Sequence, residues 1–290
     1  MTDAMHDLLA ILDLERLEDN CFRGRSLQYS WKRIYGGQVI AQALVAAQRT
    51  VTAERHVHSL HCYFLRPGDP NEPVIFDVDR IRDGSSFTTR RVVASQRDKA
   101  IFSMSASFQI DEPGLDHQKP IPDGIPDPEK LLGDKDFREQ YTHLLPENVR
   151  KYMAQERPIE IKPVSLTHYL SREKLPPEQH IWIRANGTVP DERDLQAVVL
   201  AYLSDMTLLD TSLFAHGRSI FNPDLQVASL DHSMWFHRPF RLDDWLLYVQ
   251  DSPSTSGARG YTRGGLYSRE GHLVASVAQE GLIRLHEMDQ

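Results

Sequence analysis

The sequence predicts an α+β protein made of two similar units, each a buried helix wrapped by a curved antiparallel sheet. Three observations carry this. Gly37 to Arg49 reads GQVIAQALVAAQR; Ile40, Ala43, Leu44 and Ala47 fall at i, i+3, i+4 and i+7, and most of the other positions are apolar too, so the helix must be enclosed. Ala100 to Ile110 sets Phe102, Met104, Ala106, Phe108 and Ile110 on one face against serines and Gln109 on the other, the period of two of a half-buried antiparallel strand. Finally, the second half of the chain repeats the order of the first.

The elements follow in order. Thr2 or Asp3 caps a short first helix carrying Met5, Leu8, Leu9 and Leu12 on one stripe. After the Gly37–Arg49 helix come strand-like runs at Val57–Leu65, Pro73–Asp83 and Ser86–Ser95, then the alternating one. Asp111 to Lys130 holds five prolines and several acids, the composition of a linker, and a polar helical connector runs on to about Met153. Arg157–Val164 and Trp182–Arg184 read as strands. A second helix, Asp191 to Leu209, follows Pro190. The expected organisation is a first unit over 1–112, a linker and connector over 113–153, and a second unit over 154–290.

The repeat can be laid out residue by residue. Gly84 to Ser95 lies on Gly257 to Ser268, and Ile101-Phe102-Ser103-Met104 on Val274-Ala275-Ser276-Val277 at the same offset. Phe64-Leu65-Arg66-Pro67 matches Phe236-His237-Arg238-Pro239, and helix residues 37–47 lie on 195–205. Each match is short and chance is the alternative for any one, but their common order points to duplication. One helix wrapped by one curved antiparallel sheet is the hotdog unit, here in tandem.

Composition narrows the function. With 290 residues, 40% hydrophobic and 26% charged, and a mean hydropathy of -0.45, the chain has a globular profile. A net charge of -8 argues against nucleic acid as a partner, since that affinity comes from neutralising phosphates. Two cysteines, Cys21 and Cys62, make neither a disulfide framework nor a zinc cluster, and neither has an evident activating base. No signal peptide and no run of about 20 apolar residues is evident, so cytoplasm without a membrane span is the expectation. No G-x-S-x-G elbow, HExxH or phosphate-cradling glycine loop is present, and no metal or cofactor is expected.

The repeat itself singles out residues. Where the first helix stripe ends at Ala47, the second has Asp205; where the alternating strand has Ala106, the last strand has Gln279. Two polar side chains thus sit at inward positions of the second unit only. An unpaired buried polar group costs about 1–3 kcal/mol, so they must be partnered. Two readings stay open from the residues alone: a hydrogen bond locking helix to sheet, or a catalytic pair.

A family resemblance bears on that choice. The segments Phe22-Arg23-Gly24, Gly36-Gly37-Gln38-Val39, His58-Ser59 with Tyr63-Phe64-Leu65-Arg66-Pro67-Gly68-Asp69, Trp182 to Gly187, Asp231 to Phe240 (DHSMWFHRPF), and Val274-Ala275-Ser276 with Gln279-Glu280-Gly281 span nearly the whole chain. They resemble the acyl-CoA thioesterase II family of double-hotdog acyl-CoA hydrolases. The resemblance implies hydrolysis of acyl-CoA to fatty acid and coenzyme A by a water oriented by an Asp, a Thr and a Gln. The Asp matches Asp205 and the Gln matches Gln279. The Thr position falls on Ser229, a departure that keeps the hydroxyl but drops the methyl that stiffens χ1. The resemblance also implies a homodimer or homotetramer.

Coenzyme A is polyanionic, so Arg82, Arg90, Arg91, Arg259 and Arg263 are candidate phosphate partners and His58 a candidate pocket residue, although strand arginines commonly face solvent. Two rivals remain. An enoyl-CoA hydratase on this fold needs an Asp and a His near the start of the buried helix; Asp194 is there, but no histidine follows it before His216. A non-catalytic acyl-CoA-binding protein would leave the buried polar positions of the second unit unexplained.

Overall fold

A computed structural model describes residues 3–27, 33–133 and 156–286, together with 136, 143, 147 and 150. Most of the expected helical connector before Met153 lies outside the described residues. The first half runs α1 (Asp3–Leu12), β1 (Glu15–Glu18), β2 (Cys21–Gly24), α2 (Gly36–Gln48), β3 (His56–Phe64), β4 (Val74–Asp83), β5 (Phe87–Gln96) and β6 (Lys99–Gln109). The second runs β7 (Ile159–Pro163), β8 (Glu178–Ala185), α3 (Arg193–Ser204), a 3-10 segment (Leu209–His216), β9 (Leu225–Ser229), β10 (Asp231–Phe236), β11 (Leu246–Ser256), β12 (Arg259–Tyr267) and β13 (Leu273–Leu285).

All thirteen strands join one antiparallel sheet, in the order β1-β2-β4-β5-β6-β3-β10-β13-β12-β11-β8-β7, with β9 added to β13. First-half strands occupy one side and second-half strands the other. The seam is β3 against β10, with Leu60 opposite Met234 and His61 opposite Ser233. Both halves use the same meander, β4-β5-β6 and β11-β12-β13, as the repeat requires.

The two long helices lie inside this sheet, packed antiparallel on each other. The start of α2 meets the end of α3, where Tyr35 Oη–H donates to Tyr202 O at 2.9 Å. The end of α2 meets the start of α3, where Gln48 Nε2–H donates to Asp194 O at 3.2 Å. Residues 37–47 of α2 are buried without interruption, the enclosure that its nearly all-apolar surface demands. Ile40 and Leu44 are fully buried in the main core, so truncating either to Ala would cost about 2–5 kcal/mol.

One expectation is corrected. The second helix ends at Ser204 rather than Leu209, because the chain leaves the i→i−4 pattern at Asp205 and the next N–H, that of Met206, turns back to Leu203 O at 3.0 Å. The apolar pattern beyond it continues as the 3-10 segment. An 18-residue stretch within Arg193–His216 is apolar enough by composition to cross a membrane, but 83% of that stretch is buried inside this protein, as part of its core.

Candidate active site

Asp205 sits at the C-cap of α3, where the helix stops and its side chain turns toward β9 and β13. The side chain is 4% exposed. Its Oδ1 accepts Ser229 Oγ–H at 3.1 Å and Gln279 Nε2–H at 2.5 Å, and the Gly37 backbone N–H donates to the carboxylate as well. Burial pushes the carboxyl up to about 6; the three donors pull the other way and leave it ionisable near neutrality. Ser229 ends β9 and lies opposite Gly281, while Gln279 belongs to β13, so helix end, edge strand and last strand converge on one carboxylate.

Close packing holds the other wall. A Cβ on Gly36 would lie 2.6 Å from Asp205 Oδ2, and one on Gly37 would lie 2.2 Å from Tyr202 O. Only glycine lets the start of α2 approach the carboxylate this closely.

Behind the carboxylate lies His232, fully buried, which sequence reasoning passed over. Its Nε2 is 2.9 Å from Ser204 Oγ. Ser204 spends its own hydroxyl proton on Ala201 O, so it accepts from His232 Nε2–H. Nδ1 is then the unprotonated nitrogen, has no hydrogen-bond partner, and lies 4.0 Å from Asp205 Oδ1. Burial holds this imidazole down to about 3, so the contact is not an ion pair. Gln279 Oε1 is likewise buried without a partner. The counterpart of His232 in the first half is Leu60, and that polar-for-apolar exchange is the signal by which it could have been found.

Loss of one positioning donor at such a site typically costs about 10²–10³ in rate. On the role that the family resemblance implies for it, Gln279→Ala should therefore lower kcat by about that factor. Ser229→Ala should lower it less, and Ser229→Thr should retain or raise it, because the β-methyl stiffens χ1. Steady-state kinetics on variants shown folded by circular dichroism checks the order; a Gln279→Ala protein with undiminished kcat would break it.

The other candidates are placed differently. His58 does not join Asp205. It lies on β3 toward the opposite end of the helix pair, bonded through Nε2 to Ser107 Oγ at 2.8 Å, and lines a cavity of about 200 Å3 there. Arg90 is corrected outright. It is buried, with its guanidinium bonded to Thr50 Oγ1 and O, Arg82 O, Thr89 O and Asp83, the last at 2.6 Å, so it is structural and closed to a phosphate. Arg91, Arg259 and Arg263 are exposed but engaged with Asp79, Glu280 and Asp251. Arg82 has no carboxylate partner among the described residues. The five do not form one basic pocket.

Thiol chemistry is disfavoured. Burial, with help from Asp77, raises Cys21 to about 11, and burial raises Cys62 well above the ordinary thiol value. Among the described residues, no three His, Cys, Asp or Glu side chains are placed to hold a metal ion.

The missing histidine beside Asp194 is present after all, supplied by the other half. His56 Nδ1 lies 2.9 Å from Asp194 Oδ1. A search along one helix could not find a partner that arrives from a strand 138 residues away.

Comparison with known proteins bears on this arrangement. Profiles described as acyl-CoA thioesterase and acyl-CoA thioesterase N-terminal domain match residues 149–282 and 27–109. Acyl-CoA thioesterase 2 of Haemophilus influenzae is 38% identical over 287 residues, covering 99% of this chain and all of that one. The chain belongs to the acyl-CoA thioesterase family. A second relative in that family, human acyl-coenzyme A thioesterase 8, is 43% identical, covering 95% of this chain and 88% of its own length. The crystal structure of an acyl-CoA thioesterase II from Mycobacterium marinum superposes with a TM-score of 0.79 at 43% identity, covering 96% of this chain and 98% of that one. A hot dog protein from Alicyclobacillus acidocaldarius, at 16% identity and a TM-score of 0.77, shows the fold alone. The tandem hotdog is thus the architecture of this thioesterase-family chain.

Proposed function

We propose that the protein hydrolyses acyl-CoA thioesters to the free acid and coenzyme A, with a water activated by Asp205 and positioned by Ser229 and Gln279. Family membership supports the reaction. The observation that carries the site is a buried carboxylate, raised to about 6 and held by both side chains together with the Gly37 amide.

The chemistry follows from group types. A thioester carbonyl is electrophilic and a thiolate leaves readily, so a positioned water suffices without a covalent step. Asp205 takes the water proton as general base. Two buried acceptors, Gln279 Oε1 and His232 Nδ1, lie beside it, and a molecule bearing O–H bonds would satisfy them. His232, neutral and held by Ser204, acts as a positioning residue that borders the carboxylate without adding a charge.

The test is a panel of acyl-CoA thioesters of graded chain length, assayed for free thiol. The proposal expects thiol release with at least part of the panel; release with none would remove the hydrolase reading and favour acyl-CoA binding alone. Assembly as a homodimer or homotetramer is carried as part of the same proposal.

A pH profile follows from Asp205. The base must be ionised, so log kcat should rise with unit slope below a midpoint near pH 6 and level off above it. A profile flat from about pH 5 to 8 would contradict Asp205 as the base.

A further inference from the structure

The antiparallel helix pair has two equivalent ends, and only one holds Asp205. Laying 37–47 on 195–205 makes Asp194 the counterpart of Gly36 and Ala47 that of Asp205. Strand pairing extends the match. Val57 lies opposite Phe108 as Ser229 lies opposite Gly281, and His56 opposite Gln109 as Ala228 lies opposite Leu282. At this second end Ala47, Val57 and Ala106 are all apolar where the first end has Asp205, Ser229 and Gln279. One residue outward, however, stand a carboxylate and an imidazole, Asp194 and His56.

These two come from different halves and meet at 2.9 Å, with side chains 38% and 23% exposed. A carboxylate at Nδ1 fixes the tautomer and leaves Nε2 as the basic nitrogen. The pair lines the cavity of about 200 Å3 that also receives His58, with Ala197, Phe236 and Phe240 as apolar wall. That cavity shares Arg193, Gln196, Pro239 and Phe240 with a larger groove of about 640 Å3. An oriented base, an apolar wall and an adjoining groove are the parts a small acyl thioester requires.

We propose that this cavity is a second acyl-thioester site, in which His56, oriented by Asp194, draws a proton from a water attacking a short-chain acyl thioester. The substrate class rests on the hydrolase reading above. The step forms one C–O bond and breaks the C–S bond; the water proton passes to Nε2 and then to the departing thiolate, giving acid and thiol with no further reactant.

The experiment uses the full chain with Asp205→Asn, assayed for thiol release from butyryl-CoA with and without His56→Gln. Thiol release in Asp205→Asn should stay above the uncatalysed rate and fall by roughly tenfold or more when His56→Gln is added, since a positioned base contributes at least that much. Should His56→Gln fail to fold, Asp194→Asn makes the same test. The non-hydrolysable butyl-CoA thioether should also shift the His56 ring resonances in Asp205→Asn. Residual release that is absent or indifferent to His56, with no ring shift, overturns the second site and leaves the Asp205 reading standing. Full activity in Asp205→Asn that disappears with His56→Gln would instead overturn the Asp205 reading and keep the second site.

Discussion

Asp205→Asn should fold, lose about 10²–10⁴ in kcat, and melt at a higher temperature than the parent protein at about pH 7 to 8. The rate loss follows from removing the proposed base while keeping the size of the side chain and its ability to accept from Ser229 and Gln279. The gain in stability follows from linkage. The carboxyl titrates near 6 in the folded protein and near 3.8 in the unfolded chain. Above pH 6 the folded state therefore holds a charge that the unfolded chain keeps in water, and the cost is fully present. As pH falls from about 6 to 4 the folded state takes up its proton first and the cost disappears. Asparagine removes the charge at every pH, so the gain should be largest above pH 6 and fade below 4. A tenfold change in proton affinity between the two states corresponds to about 1.4 kcal/mol, so the gain amounts to about 1–3 kcal/mol. Thermal melts across pH check this; a variant that melts lower than the parent at pH 8 would show that the charge itself stabilises the fold.

Gly37→Ala should destabilise by about 3 kcal/mol, near the top of the usual overpacking range, and lower Tm by roughly 6–12 °C. The added methyl would lie 2.2 Å from Tyr202 O and 2.6 Å from the Tyr35 ring. A ring can rotate, but the carbonyl belongs to the backbone of α3, so the helices must part. Parting them also draws the Gly37 amide away from Asp205, one of the donors that holds that carboxyl down. The acidic limb of the kcat profile should then move to higher pH. A Gly37→Ala protein with the parent Tm and an unmoved limb would mean that the helix contact is looser than the geometry requires.

Much of this was legible in the sequence because period and repetition are local properties. The enclosed helix, the alternation of Ala100–Ile110 and the offset between halves placed β3 to β6 within one or two residues of their observed ends, whereas β8 begins four residues before the expected Trp182 and β1, β2 and β9 were not expected. Asp205 and Gln279 stood out as polar exceptions to the repeat, and the structure brings both to one point. Other features were not legible because they depend on distant parts of the chain meeting. Arg90 reads as a surface arginine until Thr50 and Asp83 close around it. His56 lies just before the expected strand Val57–Leu65 and carries no signal until α3 brings Asp194 to it. The early end of α3 was hidden because the 3-10 segment carries on its apolar pattern, while the side-chain bonds of Asp205 belong to tertiary structure.

The central claim is that water attacks the thioester directly, with Asp205 as base and not as nucleophile. A single-turnover reaction in H2(18)O, with enzyme in excess and the protein mass read after rapid quench, tests it most directly. Direct attack predicts a product acid carrying one 18O and a protein of unchanged mass throughout. A stoichiometric acyl adduct, or an unlabelled product acid with 18O in the Asp205 carboxylate, would contradict it.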